Sequence, residues 1–228
     1  MKNTFFLLLF LASCFLSFAQ MEVSTVKESR DPWKFGVGIG ATYDWVNQPR
    51  YIDKVFGLKA GVSGEKHLVY NLYFRPTFNL WKKGYEANYT NASVKVDGFF
   101  LDFEATLELK FGDERLGRGL VFSLTPFLTY GVAGNTKIYN ENSSSEDYDK
   151  NIEYTGSSSK TVKTFADGNL HKEDVGYIFG VGYDINHSWE FTASYTMGFV
   201  NIGRWNNYRW RGWGFGITYF FVSDKKRH

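Results

Sequence analysis

The residues best suited to acid–base or nucleophilic chemistry are four histidines, His67, His171, His187 and His228. Hydrolysis of an ester by this chemistry needs an imidazole close to a serine or a carboxylate. Only His171 stands in a run of charged residues, Lys172 to Asp174, within a long polar segment. That composition is typical of a solvated loop, so the sequence predicts no catalytic residue.

Motifs for metals and phosphates are also incomplete. Glu146, Asp147 and Asp149 lack the spacing and the glycine of an EF-hand loop. The alternating glycines of residues 36–40 lie inside a strand-like segment with no helix after it, which excludes a phosphate-binding loop. A single cysteine, Cys14, excludes a disulfide framework. We therefore expect no metal and no cofactor.

The composition favours an all-β chain. Aromatic residues make up 19% of the 228 residues, with 23 glycines and only 4 prolines, and aromatic residues are enriched in strands. The net charge is +2 and the lysines and arginines are scattered. No basic face is visible, so we expect no nucleic-acid partner.

The N-terminus is typical of a secretory signal peptide over residues 1–20. Lys2 is followed by an apolar run over residues 5–18, and small residues precede a cleavage site near Ala19 or Gln20. Residues 11–14 also form a loose lipobox. The apolar run continues past Cys14, however, which favours the cleaved signal.

A two-residue alternation of apolar and polar side chains begins at Trp33, as in strands with two different faces. It recurs in eight segments, over residues 33–45, 56–62, 70–80, 99–111, 120–132, 175–185, 189–199 and 213–221. Short connections over residues 65–67, 112–118 and 186–188 alternate with longer ones over residues 46–54, 82–98, 134–174 and 200–211. This arrangement predicts an eight-stranded antiparallel transmembrane β-barrel with short periplasmic turns and longer extracellular loops.

The volume of the side chains decides which face lies outside. The apolar face is rich in Phe, Tyr and Trp and would not fit inside eight strands, whereas the opposite face is rich in glycine. The apolar face therefore contacts lipid, and we expect an interface girdle of Trp33, Trp45, Trp189 and Trp213. The opposite face would carry a paired network of lumen charges, formed by Lys34, Asp44, Lys59, Arg75, Asp102, Glu104, Glu108, Lys110, Asp184 and Glu190.

Several motifs resemble those of the PorT-like outer-membrane β-barrel family. They are Arg75-Pro76 followed by Lys83-Gly84, Phe100 to Phe103 leading to Leu109-Lys110-Phe111, Gly180 to Tyr183, and Tyr195 to Ile202. Glu104 stands where that family usually has a proline, and the chain continues past Phe221 into a basic tail. The resemblance implies a small barrel of Gram-negative bacteria, some of whose members serve protein secretion.

The predicted organisation is a signal peptide (residues 1–20), a periplasmic arm (21–32), an outer-membrane barrel (33–221) and a basic tail (222–228). We expect a non-enzymatic barrel with a structural or interaction role, whose loops present a binding surface, or a secretion accessory. A lipid-modifying barrel enzyme of the deacylase or acyltransferase type is the alternative. The expected partners are outer-membrane lipid and a protein bound through the extracellular loops or the periplasmic turns.

Overall fold

The computed structural model describes residues 32–47, 52–89, 92–113, 117–140, 158–165, 170–202 and 208–221. The predicted signal peptide, nearly all of the predicted arm and the basic tail lie outside these residues. Nine strands are present: β1 (Lys34–Val46), β2 (Ile52–Val69), β3 (Leu72–Tyr89), β4 (Ala92–Asp113), β5 (Arg118–Asn140), β6 (Ser158–Lys163), β7 (Glu173–Ile185), β8 (Trp189–Gly198) and β9 (Trp210–Phe221).

Eight of these strands close into a ring. Each strand pairs antiparallel with its neighbour in the order β1, β2, β3, β4, β5, β7, β8, β9, and β9 pairs back onto β1 from Phe35↔Phe221 to Val46↔Trp210. β6 is an additional short strand that pairs with the end of β5. The predicted eight-stranded antiparallel barrel is therefore confirmed.

The part of the chain that the structure describes contains no helix with the length and apolar character needed to cross a membrane.

The alternating pattern directs apolar side chains outward along the middle of each strand. Phe35, Ile39 and Phe215 expose 63%, 69% and 63% of their surface. Their sequence neighbours Gly36 and Gly214 are buried inside the ring. An outer surface this apolar is stable only against lipid or another apolar partner.

The prediction of a tight turn at residues 65–67 is wrong. β2 continues through Glu65, Lys66 and His67 to Val69, and the hairpin turns at Tyr70 and Asn71. Tyr70 has a φ of 51° there and exposes 87% of its surface. The apolar alternation of β2 stops early because this end of the hairpin lies beyond the hydrocarbon core, where outward side chains need not be apolar. The hydrophobic pattern therefore underestimates the length of β2.

The loop predicted over residues 82–98 is also wrong, because β3 and β4 remain paired from Lys82↔Phe99 to Tyr89↔Ala92. The loop predicted over residues 134–174 is wrong over residues 134–140, 158–163 and 173–174, which lie in β5, β6 and β7. Residues 141–157 and 166–169 lie outside the described residues. We call the strand segments beyond the lipid-facing band, residues 82–89, 92–98, 134–140 and 158–163, the external ribbon.

The external ribbon reverses the pattern of the barrel wall. Its outward side chains are polar, and its inner side joins an apolar cluster at the same end of the barrel. The buried members of this cluster are Val46, Trp81, Tyr85, Ala87, Val96, Phe100, Leu170, Ile202, Tyr208 and Trp210. Outside the bilayer the surrounding solvent is water, so the ribbon folds around an apolar interior as a soluble sheet does. This inversion is why the alternation seemed to end at Leu80.

A bulge in β5 changes which residues face inward. Phe99 pairs with Ala133 and Phe100 pairs with Gly131, which leaves Val132 as the extra residue. Inward positions are odd-numbered before the bulge, as at Thr129, and even-numbered after it, as at Thr136. A strict two-residue period read across this point assigns the wrong face to the rest of β5.

Candidate functional site

The lumen holds the largest concentration of buried charge in the described residues, and its first layer lies at the end where the short turns are. β3, β4 and β8 bring Arg75, Glu108 and Glu190 together there. One guanidinium nitrogen of Arg75 lies 2.6 Å from Glu108 and the other 2.6 Å from Glu190. The Glu190 contact is also a hydrogen bond, whereas the Glu108 carboxylate is not aligned for one. Both carboxylates are fully buried.

Lys110 on β4 connects the other acids of this layer. Its Nζ lies 2.6 Å from Glu65, 3.0 Å from Asp184, 3.3 Å from Glu190 and 3.5 Å from Glu108. Because a single ammonium is shared by four carboxylates, the layer is a network, in which the loss of one member affects every other pair.

The same layer brings three carboxylates close enough to bind a cation. Oxygens of Glu65, Glu108 and Glu190 lie within 4.8 Å of one another. Arg75 and Lys110 already contact these carboxylates and supply two positive charges between them. The arrangement is therefore that of an ion-paired network, and the geometry gives no reason to add a metal.

A second charged layer lies further along the lumen. Lys59 on β2 pairs with Glu104 and lies 3.4 Å from Asp102 on β4. Asp102 also accepts a hydrogen bond of 2.7 Å from the Thr129 hydroxyl. The Lys59 ammonium stands 4.9 Å from the centre of the Trp81 ring, which adds a cation–π contact to the two ion pairs.

Asp44 lies at the end of a chain of two hydrogen bonds beside this layer. The Trp81 indole donates to the Thr42 hydroxyl at 3.2 Å, and that hydroxyl donates to Asp44 at 2.6 Å. All three side chains are buried. The chain ties β1 to β3 across β2 and fixes the orientation of the Trp81 ring in the lumen.

A polar chamber of about 120 Å³ lies between the two charged layers. Its walls carry many hydroxyl groups, including Thr77, Thr125 and Ser194. Two further wall groups, the Ser63 hydroxyl and the Asn79 amide nitrogen, are buried and have no hydrogen-bond partner within the described protein atoms. A chamber of this size and polarity accommodates several water molecules, which would satisfy both groups.

Lys83 lies beyond the second layer, toward the external ribbon, in an unusual environment. Only 1% of its surface is exposed, and its ammonium has no hydrogen-bond partner in the described structure. Aromatic rings surround it, with distances from Nζ of 4.3 Å to Trp81, 4.6 Å to Phe100 and 5.0 Å to Trp210. These rings supply cation–π stabilisation in place of solvent.

The structure places all ten charges of the predicted lumen network on the inward side. It also adds Glu65, Lys83 and Asp174, which the sequence analysis had assigned to a turn and to loops. Each lies at an even spacing from a recognised inward residue: Glu65 from Lys59, Lys83 from Arg75, and Asp174 from Gly176. Continuing the two-residue period past the end of the apolar face would have found them.

The four tryptophans of the predicted girdle belong to the outer surface at the two ends of the wall. Trp33 and Trp189 lie at the short-turn end, exposing 44% and 45% of their surface. Trp45 and Trp213 lie toward the external ribbon, and each contacts Tyr195, with ring centres 6.3 and 4.8 Å apart.

The described histidines contact their own local structure. His67 bonds to the backbone oxygen of Tyr70 at 2.5 Å and stacks on Tyr73. His187 lies in the turn after β7 with a φ of 59°. The backbone N–H of His171 donates to Ile202. His228 lies outside the described residues.

A closed antiparallel ring with an apolar outer face and a charged, paired lumen defines the class of outer-membrane β-barrels. The sequence agrees, since residues 18–204 match the model of the outer membrane protein beta-barrel domain family. The chain belongs to this family and is an outer-membrane barrel protein. The match is to this broader family, so the PorT-like resemblance remains a prediction.

The chain also shows a limited similarity to solved structures. Neisserial surface protein A (NspA) is 13% identical, with a TM-score of 0.43, over 84% of this chain and all of that one. Ail, the attachment invasion locus protein of Yersinia pestis, is 15% identical, with a TM-score of 0.44 and the same coverage. LpxR from Salmonella typhimurium is 9% identical, with a TM-score of 0.27, over 82% of this chain and all of that one. No curated protein sequence matches the chain.

Proposed function

We propose that this protein is a non-enzymatic outer-membrane barrel with a sealed lumen, which acts through the binding surface of its external ribbon. The two charged layers support a sealed lumen. Arg75, Lys110 and Lys59 each span the narrow interior to contact carboxylates on other strands. An eight-stranded barrel has an interior just wide enough for its own side chains, so such a network leaves no continuous pore.

The observation that carries the proposed binding role is the apolar core at the ribbon end of the barrel. Tyr85 packs edge-to-face on Trp210 at 5.7 Å and on Tyr208 at 6.0 Å. Phe100 packs in the same way on Trp210 and Phe165. A mobile loop needs no such core, whereas a surface that must keep its shape to bind a partner does.

The test places a photo-crosslinking amino acid on the outward face of the ribbon at Tyr139, with Leu124 in the lipid-facing band as the matched control. In intact cells we expect a discrete protein adduct at Tyr139 and lipid adducts alone at Leu124. If neither position gives a protein adduct, the proposed interaction role is wrong. Loss of secreted proteins after deletion of the gene would assign the partner to secretion.

The enzyme alternative is tested separately on outer membranes from cells with and without this protein. A non-enzymatic barrel leaves the acyl-chain composition of the outer-membrane glycolipids unchanged, as measured by mass spectrometry. A protein-dependent loss or gain of an acyl chain would establish the lipid-modifying enzyme instead and overturn the proposal.

A further inference from the structure

The outward face of the external ribbon carries a lysine cluster just beyond the lipid-facing band. In the strand register, Lys95 on β4 lies directly opposite Lys137 on β5. Lys163 on β6 pairs with Asn135, two residues from Lys137 on the same face. Lys82 on β3 lies opposite Phe99, at the edge of the band. We call these four residues, Lys82, Lys95, Lys137 and Lys163, the ribbon lysines.

The register makes this cluster unfavourable in the absence of a ligand. Like charges directly opposite each other on antiparallel strands destabilise the sheet, and Lys95 and Lys137 are such a pair. Two acids share the face. Glu86 lies 3.7 Å from Lys95, and Asp97 is opposite Asn135. Within the ribbon the face therefore carries four positive and two negative charges, and the exposed Asp53 and Lys54 of β2 add one charge of each sign beside Glu86. Lys137 and Lys163 are both exposed.

The height of the cluster above the lipid-facing band matches the headgroup region of the membrane. Lys95 lies four residues beyond Phe99, about 13 Å along the strand and roughly 10 Å along the membrane normal at the usual tilt of such barrels. Lys163 is level with Asp97 in the register, so it lies roughly half as far above Phe99 as Lys95 does. The headgroup region of a bilayer is about 5–8 Å thick on each side, so the ribbon lysines extend through it and just past it.

We propose that the ribbon lysines bind the phosphate groups of a phosphorylated glycolipid in the outer leaflet. This inference rests on the external position of the ribbon in the proposed function. Lysine ammonium groups suit phosphate oxygens as point charges. The cross-strand pair Lys95 and Lys137 has Cβ atoms about 5 Å apart, so both can reach one phosphate. Among the described residues, the outward face at the opposite rim carries only Lys66 and Arg118 as basic residues, so the two rims differ in charge.

The test titrates fluorescent diphosphoryl lipid A into the detergent-solubilised full-length chain. We expect tighter binding than for the dephosphorylated lipid, and a loss of roughly fivefold for each ribbon lysine removed. The double variant Lys95→Gln/Lys137→Gln should therefore bind about 25-fold more weakly. The matched control is Lys160→Gln, which removes the same charge from the opposite face of β6 and should bind as the wild type does.

Three outcomes would overturn the proposal: equal binding of the phosphorylated and dephosphorylated lipids, equal loss in Lys160→Gln, or displacement of the lipid by an equal concentration of inorganic phosphate. A gel comparing unboiled with boiled samples checks that each variant forms a closed barrel. If the double variant does not, Lys163→Gln alone provides the comparison with Lys160→Gln. A failed crosslink at Tyr139 would leave lipid binding intact, so the two proposals fail separately.

Discussion

Arg75 and Glu190 are 115 positions apart in the sequence, yet their side chains form an ion pair of 2.6 Å across the lumen. β3 and β8 are not neighbours in the ring, so this contact joins strands that share no backbone hydrogen bond. Contacts of this kind connect opposite walls of the barrel across the lumen.

Removing the guanidinium at this contact should be strongly destabilising. Arg75→Met leaves the buried Glu108 and Glu190 without their nearest counter-charge, which should cost about 3–5 kcal/mol. Urea unfolding in lipid vesicles measures this free energy. The control is Lys34→Met, whose partly exposed side chain pairs with Glu65 at 3.6 Å and should cost ~1 kcal/mol at most. An equal loss in the free energy of unfolding for the two variants would show that burial gives the Arg75 ion pairs no special weight.

The two faces of β4 can be separated with a single substitution. Leu107 lies on the outer face, where it pairs with Leu124, while its neighbour Glu108 is fully buried in the lumen. Leu107→Arg places a charge near the middle of the lipid-facing band and should destabilise the barrel by about 2–4 kcal/mol. Asn135→Arg puts the same charge on the outward face of the external ribbon, beyond the hydrocarbon core and opposite Asp97, and should be nearly neutral. A neutral Leu107→Arg would mean that this face does not contact lipid.

The orientation of the barrel predicts which positions can be labelled in intact cells. If the predicted signal peptide is cleaved, the mature chain contains no cysteine, so single cysteines can be introduced without background. Ser159→Cys on β6 should react with a membrane-impermeant maleimide in whole cells. Asn71→Cys in the β2–β3 turn should react only after the outer membrane is permeabilised. The reverse pattern would place the external ribbon in the periplasm.

A close approach at Gly131 should make that position intolerant of any side chain. A Cβ atom there would collide with the ring of Phe165, which packs edge-to-face on Phe100 at 5.3 Å. We expect Gly131→Ala to cost about 1–3 kcal/mol through overpacking, measured by the same urea unfolding. Phe165→Leu should relieve the collision, so the double variant should be more stable than Gly131→Ala alone. If the changes in the free energy of unfolding from the two substitutions are additive, the collision with the Phe165 ring does not cause the destabilisation.

The sequence by itself determined the barrel, because lipid imposes a simple rule on every spanning strand. Side chains that alternate along a strand meet lipid on one side and a narrow lumen on the other, so the pattern shows both the number of strands and their faces. Parity alone then assigned Arg75, Glu108 and Glu190 to the interior.

Only the tertiary structure decided where that rule stops applying. Past Leu80 and Phe99 the surroundings are the polar headgroups and then water, so the apolar residues turn inward and β3 and β4 continue where a loop was expected. The bulge at Val132 shifts the parity of β5, which no local pattern reveals. Lys83 and Asp174 are buried in the same lumen as the charged layers, because the ring brings distant strands together. Ion pairs across the lumen, such as that of Arg75 with Glu190, depend on closure and register, which a single sequence does not encode locally.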